Sequence, residues 1–395
     1  MTTLAHPVGH PTGISHEHAH SPVLDWAWHA YATVLAAAMV VVGLIWDISW
    51  HMSIGRDSFW TPAHLLIQAG GVVAGLSSGY LALRITFAGS PKARASGVSF
   101  WGFRAPLGAW VCVLGCGAML TSAPFDDWWH NAYGLDVRIV SPPHILLALG
   151  MIGIVLGALL RTLALQNVAD GAVRQRAATL FAIASGILIT IVAIVLLDDS
   201  GREEMHAGDF YRTLAKVFPV VIVAVAVAGR GRWPATTAAA MYMLMLAGTS
   251  WVLMLFPATP KLGPIYQNIT HYVPIDFPLL LIAPAFAVDL VWRRVRDRPA
   301  WVASLALGVA FLATLVIVQW LFADFAMSHG RNWFLHADNF PYMRVPAEEP
   351  YSFEFRPLEP GEAGLVAQLS LALLYAALAS AVGRAWGRWM TRVLR

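Results

Sequence analysis

The chain has 395 residues, of which 58% are hydrophobic and 12% are charged, and its mean hydropathy is +0.61. Soluble proteins carry about 25% charged residues, so this composition excludes an ordinary soluble protein. The net charge of +3 is small, and the two cysteines, Cys112 and Cys116, are too few for a disulfide framework. The expected partner is the lipid bilayer, and no nucleic-acid partner is expected.

Apolar residues occur in blocks of about 20, the length at which a helix crosses the hydrocarbon core of a bilayer. The sequence therefore predicts an all-α, polytopic membrane protein with about ten transmembrane helices. No cleavable signal sequence is visible, so we expect the first span to be retained. The predicted spans are residues 28–49, 62–86, 102–123, 143–164, 178–197, 211–229, 235–256, 277–293, 301–323 and 364–387.

Basic residues concentrate in the connections after the even-numbered spans and in the C-terminal tail, as Arg174, Arg293 and Arg388 illustrate. The other face is acidic and rich in His and aromatic residues. Cytoplasmic loops carry an excess of Lys and Arg, so this pattern predicts that both termini are cytoplasmic. The expected location is a bacterial inner membrane, with the acidic face toward the periplasm.

The chain divides into three predicted segments. Residues 1–27 form a His-rich cytoplasmic tail that we expect to be disordered, with loose metal scavenging as an alternative. Residues 28–165 form a four-helix metal-binding half, and residues 166–395 form a six-helix half. The second half includes a long outer loop, 324–363, whose aromatic residues favour a folded lid or a docking surface.

The first chemical motif lies where the first span ends and the second begins. Asp47 and His51 are four residues apart, so on a helix they share one face. His64 follows Pro62 at the start of the next helix, where a proline fixes the first turn. If the two helices are antiparallel neighbours, the three side chains meet between them. Two imidazoles and one carboxylate make a three-ligand metal site with open coordination positions.

The motif occurs a second time. Asp126 and His130 are again four residues apart, and His144 again follows a proline at a helix start. Taken alone, each Asp would be interpreted as a helix cap or as the partner of Arg56 or Arg138. The repetition favours metal binding at both places.

Three further carboxylates are candidates for orienting the imidazoles from behind the metal. Asp57 and Asp136 follow the two motifs at matching positions, and each either orients an imidazole or is a solvated loop acid. Asp127 lies beside Asp126, and only one of these two can share the face of His130.

At these motifs the chain resembles the membrane subunits of the copper-containing membrane monooxygenases, the particulate methane and ammonia monooxygenases. The spacing of Asp47, His51 and His64 agrees with the copper site of the family's C subunit, Asp-x3-His-x12-His. The family's second site reads Asn-x3-His-x13-His. Asp126 and the two histidines that follow it keep that spacing, but Asp replaces Asn, which makes this site more anionic. This resemblance covers residues 25–165.

Residues 200–395 resemble the family's A subunit more faintly, through the stretch Tyr272–Pro278 and the stretch Gly383–Trp389. The resemblance therefore implies a copper-dependent monooxygenase that hydroxylates a small apolar substrate with O2. It also implies a homotrimer. The family's cupredoxin-like periplasmic subunit is absent from this sequence, so either a separate polypeptide supplies it or the protein functions without it.

Two other functions remain open at this stage. The paired sites could belong to a copper- or zinc-handling membrane protein without oxygenase activity, since acidic and His-rich loops attract cations. Two His and one carboxylate also suit non-haem iron. The integral-membrane di-iron hydroxylases need many more histidines, in patterns such as His-x2-His-His, and this sequence has none.

Overall fold

The computed structural model describes residues 27–56, 58, 60–133, 141–348, 350–358 and 361–394. The tail predicted at 1–27 lies outside this range except for its last residue. The all-α prediction is confirmed, because helices make up most of the described chain. A single short hairpin of strands β1 (Val98–Phe100) and β2 (Phe103–Ala105) is present there. Its two turn residues, Trp101 and Gly102, both have positive φ, as a tight two-residue hairpin requires.

The described chain contains eleven α-helices. Nine of them, all except α3 and α9, are long and apolar enough to cross a membrane. Short 3-10 turns lie at Leu197–Asp199, Arg202–Glu204, Trp333–Leu335, Pro346–Glu348 and Pro350–Phe353. The helices are α1 (Ala27–Ser53), α2 (Pro62–Ala88), α3 (Pro91–Ser96), α4 (Leu107–Tyr133), α5 (Pro142–Val168), α6 (Gly171–Val195), α7 (Gly208–Ala228), α8 (Pro234–Leu253), α9 (Ile282–Val295), α10 (Ala300–Ser328) and α11 (Leu365–Met390).

The eighth predicted span, 277–293, differs from the other nine. Its helix, α9, has 14 residues, which at 1.5 Å per residue is about 21 Å, less than the hydrocarbon core. The residues before it, 272–280, have no regular secondary structure, in a stretch that contains Pro274 and Pro278. The backbone N–H of Leu279 donates to the Tyr242 hydroxyl at 2.9 Å, and that of Leu280 donates to Oε1 of Gln319 at 3.0 Å. Side chains therefore satisfy the backbone where the helix is missing.

The first half of the chain contains two hairpins of the same size. Helices α1, α2, α4 and α5 each have 27 residues. The second hairpin begins 80 residues after the first, at both its helices (107 − 27 and 142 − 62). Helix α1 packs on α2, α4 packs on α5, and the hairpins meet through α2 with α4 and α1 with α5. The result is a four-helix bundle with both inter-helix turns at one end, which we call the site end.

Glycines set the distance between the helices of each hairpin. A Cβ atom on Gly70 would lie 2.8 Å from the carbonyl oxygen of Ala36, and one on Gly150 would lie 2.8 Å from that of Gly115. These two contacts occupy corresponding positions of the two hairpins. Small residues at such positions let helix backbones approach closely, which is a main source of helix association in membranes.

The second half packs against this bundle through one continuous buried core, which extends from Val40 in α1 to Phe218 in α7 and Phe311 in α10. Helix α11 lies along α7, and Cβ atoms on Gly383 or Gly387 would collide with α7 carbonyls. At the end opposite the site end, the side chain of Asn167 donates to carbonyls near the C-terminus of α11.

The long loop predicted at 324–363 begins later than expected, because α10 continues to Ser328. Its described residues contain three 3-10 turns and pack on the site end. The backbone N–H of Tyr342 donates to the carbonyl of Met52 at 3.2 Å, and that of Arg356 donates to Glu203 at 2.9 Å. The guanidinium of Arg356 also pairs with Glu204.

The glycine contacts give a test of the hairpin packing. We expect Gly115→Leu to separate α4 from α5, because its Cβ would lie 2.8 Å from the Gly150 carbonyl oxygen. Overpacking of this kind costs about 1–3 kcal/mol, so the melting temperature in detergent should fall by several degrees. Gly117→Leu is the matched control, since no described atom lies within 4 Å of a Cβ there. Equal melting temperatures for the two variants would contradict the close packing of α4 on α5 at Gly115.

Candidate metal centres

The first predicted trio lies at the turn between α1 and α2. Asp47 and His51 occupy the last turns of α1, and His64 lies in the first turn of α2, directly after Pro62. Oδ1 of Asp47 is 3.0 Å from Nε2 of His64, and its Oδ2 is 3.9 Å from Nε2 of His51. The carboxylate therefore lies between the two imidazoles, as the helical spacing predicts.

The other ring nitrogen of His64 fixes the role of this imidazole. Its Nδ1 lies 3.0 Å from the carbonyl oxygen of Ser58, which can only accept a hydrogen bond. Nδ1 therefore carries the proton, and in the neutral ring Nε2 presents a lone pair toward Asp47. A backbone carbonyl behind a histidine is the usual device that orients a metal-binding imidazole. The turn itself is held by a hydrogen bond from Nε1 of Trp50 to the carbonyl of Arg56.

The carboxylate oxygen that faces His64 accepts no hydrogen bond from a described residue. Oδ1 of Asp47 is buried and makes no hydrogen bond with any described residue, although Nε2 of His64 is 3.0 Å away. A lone pair on Nε2 and a lone pair on Oδ1 repel each other unless a proton or a cation lies between them. Buried polar atoms without partners are rare, and an ion is one of the few explanations for them.

The second trio repeats this arrangement at the turn between α4 and α5. Oδ2 of Asp126 is 3.3 Å from Nε2 of His130, and its Oδ1 is 3.6 Å from Nε2 of His144. The hydroxyl of Ser141 caps α5 by accepting from the backbone N–H of His144 at 3.5 Å. Oδ1 of Asp126 is again buried without a hydrogen bond among the described residues. The carboxylates of both trios thus have one buried oxygen without a hydrogen bond among the described residues.

Both trios have donor atoms suited to a first-row transition metal. Ligand atoms that surround one ion tetrahedrally at about 2.1 Å lie about 3.4 Å from one another. The four carboxylate-to-imidazole separations, 3.0 to 3.9 Å, fall around this value. In the described part of the chain, no group of three or more His, Cys, Asp or Glu side chains is arranged to hold a metal ion as it stands. Each carboxylate nevertheless lies within 3.9 Å of both of its imidazoles.

The three carboxylates predicted to orient the imidazoles have different outcomes. Asp57 and Asp136 lie outside the described residues. Asp127 is exposed, and its Oδ2 lies 3.4 Å from Nδ2 of Asn131, one turn further along α4. Its contact is thus with its own helix, while Asp126 takes the position beside His130.

The surroundings of the two trios differ. The turn after His51 is covered by the second half of the chain: Tyr342 donates to Met52, as above, and the backbone N–H of Lys261 donates to the carbonyl of Ile54 at 2.9 Å. The ring of Tyr342 also packs against Gly55, where no side chain would fit. Helix α4, which carries Asp126 and His130, packs mainly on α2 and α5. The sequence predicted a folded lid or a docking surface in 324–363, but not that it would cover the turn after His51, because backbone hydrogen bonds between distant residues have no motif.

A buried histidine, His336, links segments of the second half of the chain that lie over the first trio. We call these segments the covering layer. His336 adopts a positive φ, and its Nδ1 lies 2.9 Å from the carbonyl oxygen of Ile275, to which it donates. Its ring meets those of Phe277 and Trp251 edge-on. Burial, reinforced by the nearby Arg202 guanidinium, lowers the pKa of His336 to about 4. The imidazole is therefore neutral at physiological pH.

The structure thus brings the six predicted ligands together as two groups of three at one end of the bundle. Comparison of this chain with protein-family profiles, with curated proteins and with solved structures found no match. Each trio is therefore best compared with the other trio of the same chain. Their agreement in residue type, helix position and orphaned carboxylate oxygen makes a shared role the simplest explanation.

The pKa of His336 predicts how pH affects the covering layer. Between about pH 6.5 and 4 the unfolded chain binds a proton that the folded chain does not, so the free energy of unfolding decreases as pH falls through this window. At pH 5 the loss should be on the order of 2 kcal/mol. His336→Asn keeps an N–H donor and tolerates positive φ, so its stability should vary less with pH. Limited proteolysis of residues 329–348 at pH 7.5 and pH 5 measures the effect. An equal increase in cleavage for both proteins would exclude His336 as the cause.

Proposed function

We propose that this chain is a membrane-bound copper-dependent monooxygenase, or the membrane subunit of one, that hydroxylates a small apolar substrate such as a short hydrocarbon or ammonia with O2. One observation carries the proposal. Two Asp-His-His trios lie at the same end of a duplicated helical hairpin, and each contains a buried carboxylate oxygen without a hydrogen bond among the described residues. The resemblance of both motifs to the copper-containing membrane monooxygenases supports copper rather than iron or zinc.

The residues of each trio have separate tasks in this proposal. The Nε2 atoms of His51 and His64 hold the ion, and Asp47 holds it while neutralising part of its charge. The carbonyl of Ser58 keeps the His64 ring in the orientation that presents Nε2. His130, His144 and Asp126 do the same in the second hairpin. Bound copper would supply redox chemistry and open coordination positions for O2.

The position of the trios suits a substrate that dissolves in lipid. Both lie at helix ends, close to the boundary of the apolar spans. Around the second trio, the side chains of Leu120 and Trp128 on α4 are exposed on the surface of the bundle. A small apolar molecule could therefore approach the second trio from the bilayer, without crossing water.

The proposal includes a membrane orientation and partners. Both termini are cytoplasmic and the site end faces the periplasm, as the distribution of Lys and Arg favours. A separate cupredoxin-like periplasmic subunit would be the partner at the site end. By resemblance, three copies of the chain form the functional unit.

A second candidate function is copper or zinc handling without oxygenase activity. The observation that favours it is the group of acidic residues near the sites, with Asp198, Asp199 and Glu203 on the short 3-10 turns of the site end. Such a surface would concentrate cations and pass them to the two trios. Metal accumulation by vesicles that contain the protein, without consumption of O2 or substrate, would distinguish this function from the first.

Paired substitutions test the metal assignment. We expect His51→Ala with His64→Ala to remove about one equivalent of bound metal, and His130→Ala with His144→Ala to remove another, because each change leaves one carboxylate as the sole protein ligand. Elemental analysis of purified protein identifies the metal, and O2-dependent hydroxylation is measured in membranes. His329→Ala is the matched control, since this exposed histidine contacts the neighbouring Ser328 rather than either trio.

Three results would contradict parts of the proposal. Unchanged metal content in both paired variants would reject the sites. Iron or zinc in place of copper would reject the cofactor. Metal loss without any oxygenation by the unmodified protein and its partners would favour metal handling.

A further inference from the structure

A groove on the membrane-facing surface lies far from both trios, between the start of α10 and the last turns of α11. Its volume is ≈ 470 Å³, and most of its wall is apolar. Ala377, Ala381 and Leu378 form one side, and Leu305 and Trp301 form the other. Trp301 is exposed at the first turn of α10, a position typical of aromatic residues at the boundary between lipid and water.

The groove contains a buried guanidinium that is only partly satisfied. Arg384 on α11 lines the groove and is 3% exposed. Its Nη1 donates to the carbonyl of Ala300 and to the hydroxyl of Ser304. Its Nε and Nη2 are buried and donate to no described residue. A buried cation with unused donors is costly unless an anion accompanies it.

Two further positive features lie beside this guanidinium. Arg388 also lines the groove, one helical turn after Arg384, so the two side chains share a face of α11. Like charges at this spacing repel each other, and an anion between them removes the repulsion. Ala300 and Trp301 belong to the first turn of α10, a helix of 29 residues whose N-terminus carries free N–H groups and a partial positive charge.

We propose that this groove binds an anionic phospholipid. The phosphate lies between the guanidinium groups of Arg384 and Arg388 and the N-terminus of α10, and an acyl chain lies along the alanine and leucine wall. The charge of the site and the apolar wall each match one part of such a molecule. Arginine forms paired hydrogen bonds to phosphate oxygens, which the unused Nε and Nη2 of Arg384 are suited to supply.

The apolar lining of the groove favours a phospholipid over free phosphate as the ligand. A free phosphate ion would occupy only the polar mouth and would leave the apolar groove between two membrane helices unfilled. A lipid with a positively charged headgroup fits less well, because its cation would lie near two arginines. We therefore expect a lipid with a net negative headgroup to bind more tightly than a zwitterionic lipid with the same acyl chains.

Native mass spectrometry of the full-length protein in detergent tests the proposal. Delipidated protein is titrated with phosphatidylglycerol or with phosphatidylcholine of the same chain length. We expect one tightly held phosphatidylglycerol per chain, with an apparent affinity at least fivefold higher than that for phosphatidylcholine. Arg384→Gln with Arg388→Gln should abolish this preference, and Ala381→Phe should weaken retention at least fivefold by filling the groove while leaving both arginines.

The controls separate this site from general attraction of lipid to basic residues. Arg94→Gln with Arg176→Gln removes two exposed arginines that do not line the groove and should leave the preference unchanged. Because Arg384→Gln could impair folding, Arg388→Gln and Ala381→Phe are also tested alone, since residues 388 and 381 are exposed. The proposal is overturned if both single variants retain phosphatidylglycerol like the unmodified protein, or if the control pair loses it equally. Displacement of the lipid by inorganic phosphate alone at millimolar concentration would overturn it in favour of a free-anion site.

Discussion

The central constraint on this structure is the cost of a carboxylate at the edge of a membrane. A charged group in hydrocarbon is expensive, and a buried charge is tolerated only with a partner of opposite sign. Asp47 and Asp126 meet this constraint in two ways: each lies in the last turns of its helix, near the boundary, and each lies between two imidazoles. Neutral imidazoles satisfy a carboxylate incompletely, which agrees with the orphaned oxygen in both trios. The cation that we propose at each trio would satisfy this oxygen at both places.

The rest of the first half can be understood as the scaffold for this arrangement. An imidazole from the next helix reaches the carboxylate only if the helices of the hairpin are close and in the correct register. Gly70 and Gly150 provide the close approach, and Pro62 and Pro142 fix where the second helix of each hairpin begins. The same device occurs twice, with an offset of 79 residues for the Asp and the first His (126 − 47 and 130 − 51) and of 80 for the second His (144 − 64). The hairpin is therefore the structural unit, and the trio is its feature at the site end.

The proximity of each Asp to its two histidines follows from local geometry, while their role as metal ligands stays a prediction. The i, i+4 spacing of Asp47 and His51 and the position of His64 after a proline follow from helix geometry. Nine of the ten predicted spans are long helices, but the sequence did not predict the irregular stretch before α9, since hydropathy does not distinguish a helix from a buried irregular segment. Pro274 and Pro278 were the available signal. The aromatic residues of 324–363 predicted a folded lid or a docking surface, but not where Tyr342 would lie, because its position depends on backbone hydrogen bonds between residues almost 300 positions apart.

The two trios have the same ligand types in unequal surroundings. The side chain of Asp47 is 19% exposed and lies under the second half of the chain, whereas that of Asp126 is 33% exposed, on a helix that packs mainly within its own bundle. Reduced exposure strengthens the attraction between a carboxylate and a cation. A turn that is held by hydrogen bonds from the second half of the chain also keeps the side chains of its trio in place. The exposure of the histidines does not follow the same order, since the side chain of His51 is 49% exposed and that of His130 is 24% exposed. The chain therefore presents the same residue types in two different surroundings, and a comparison between the trios isolates what those surroundings contribute.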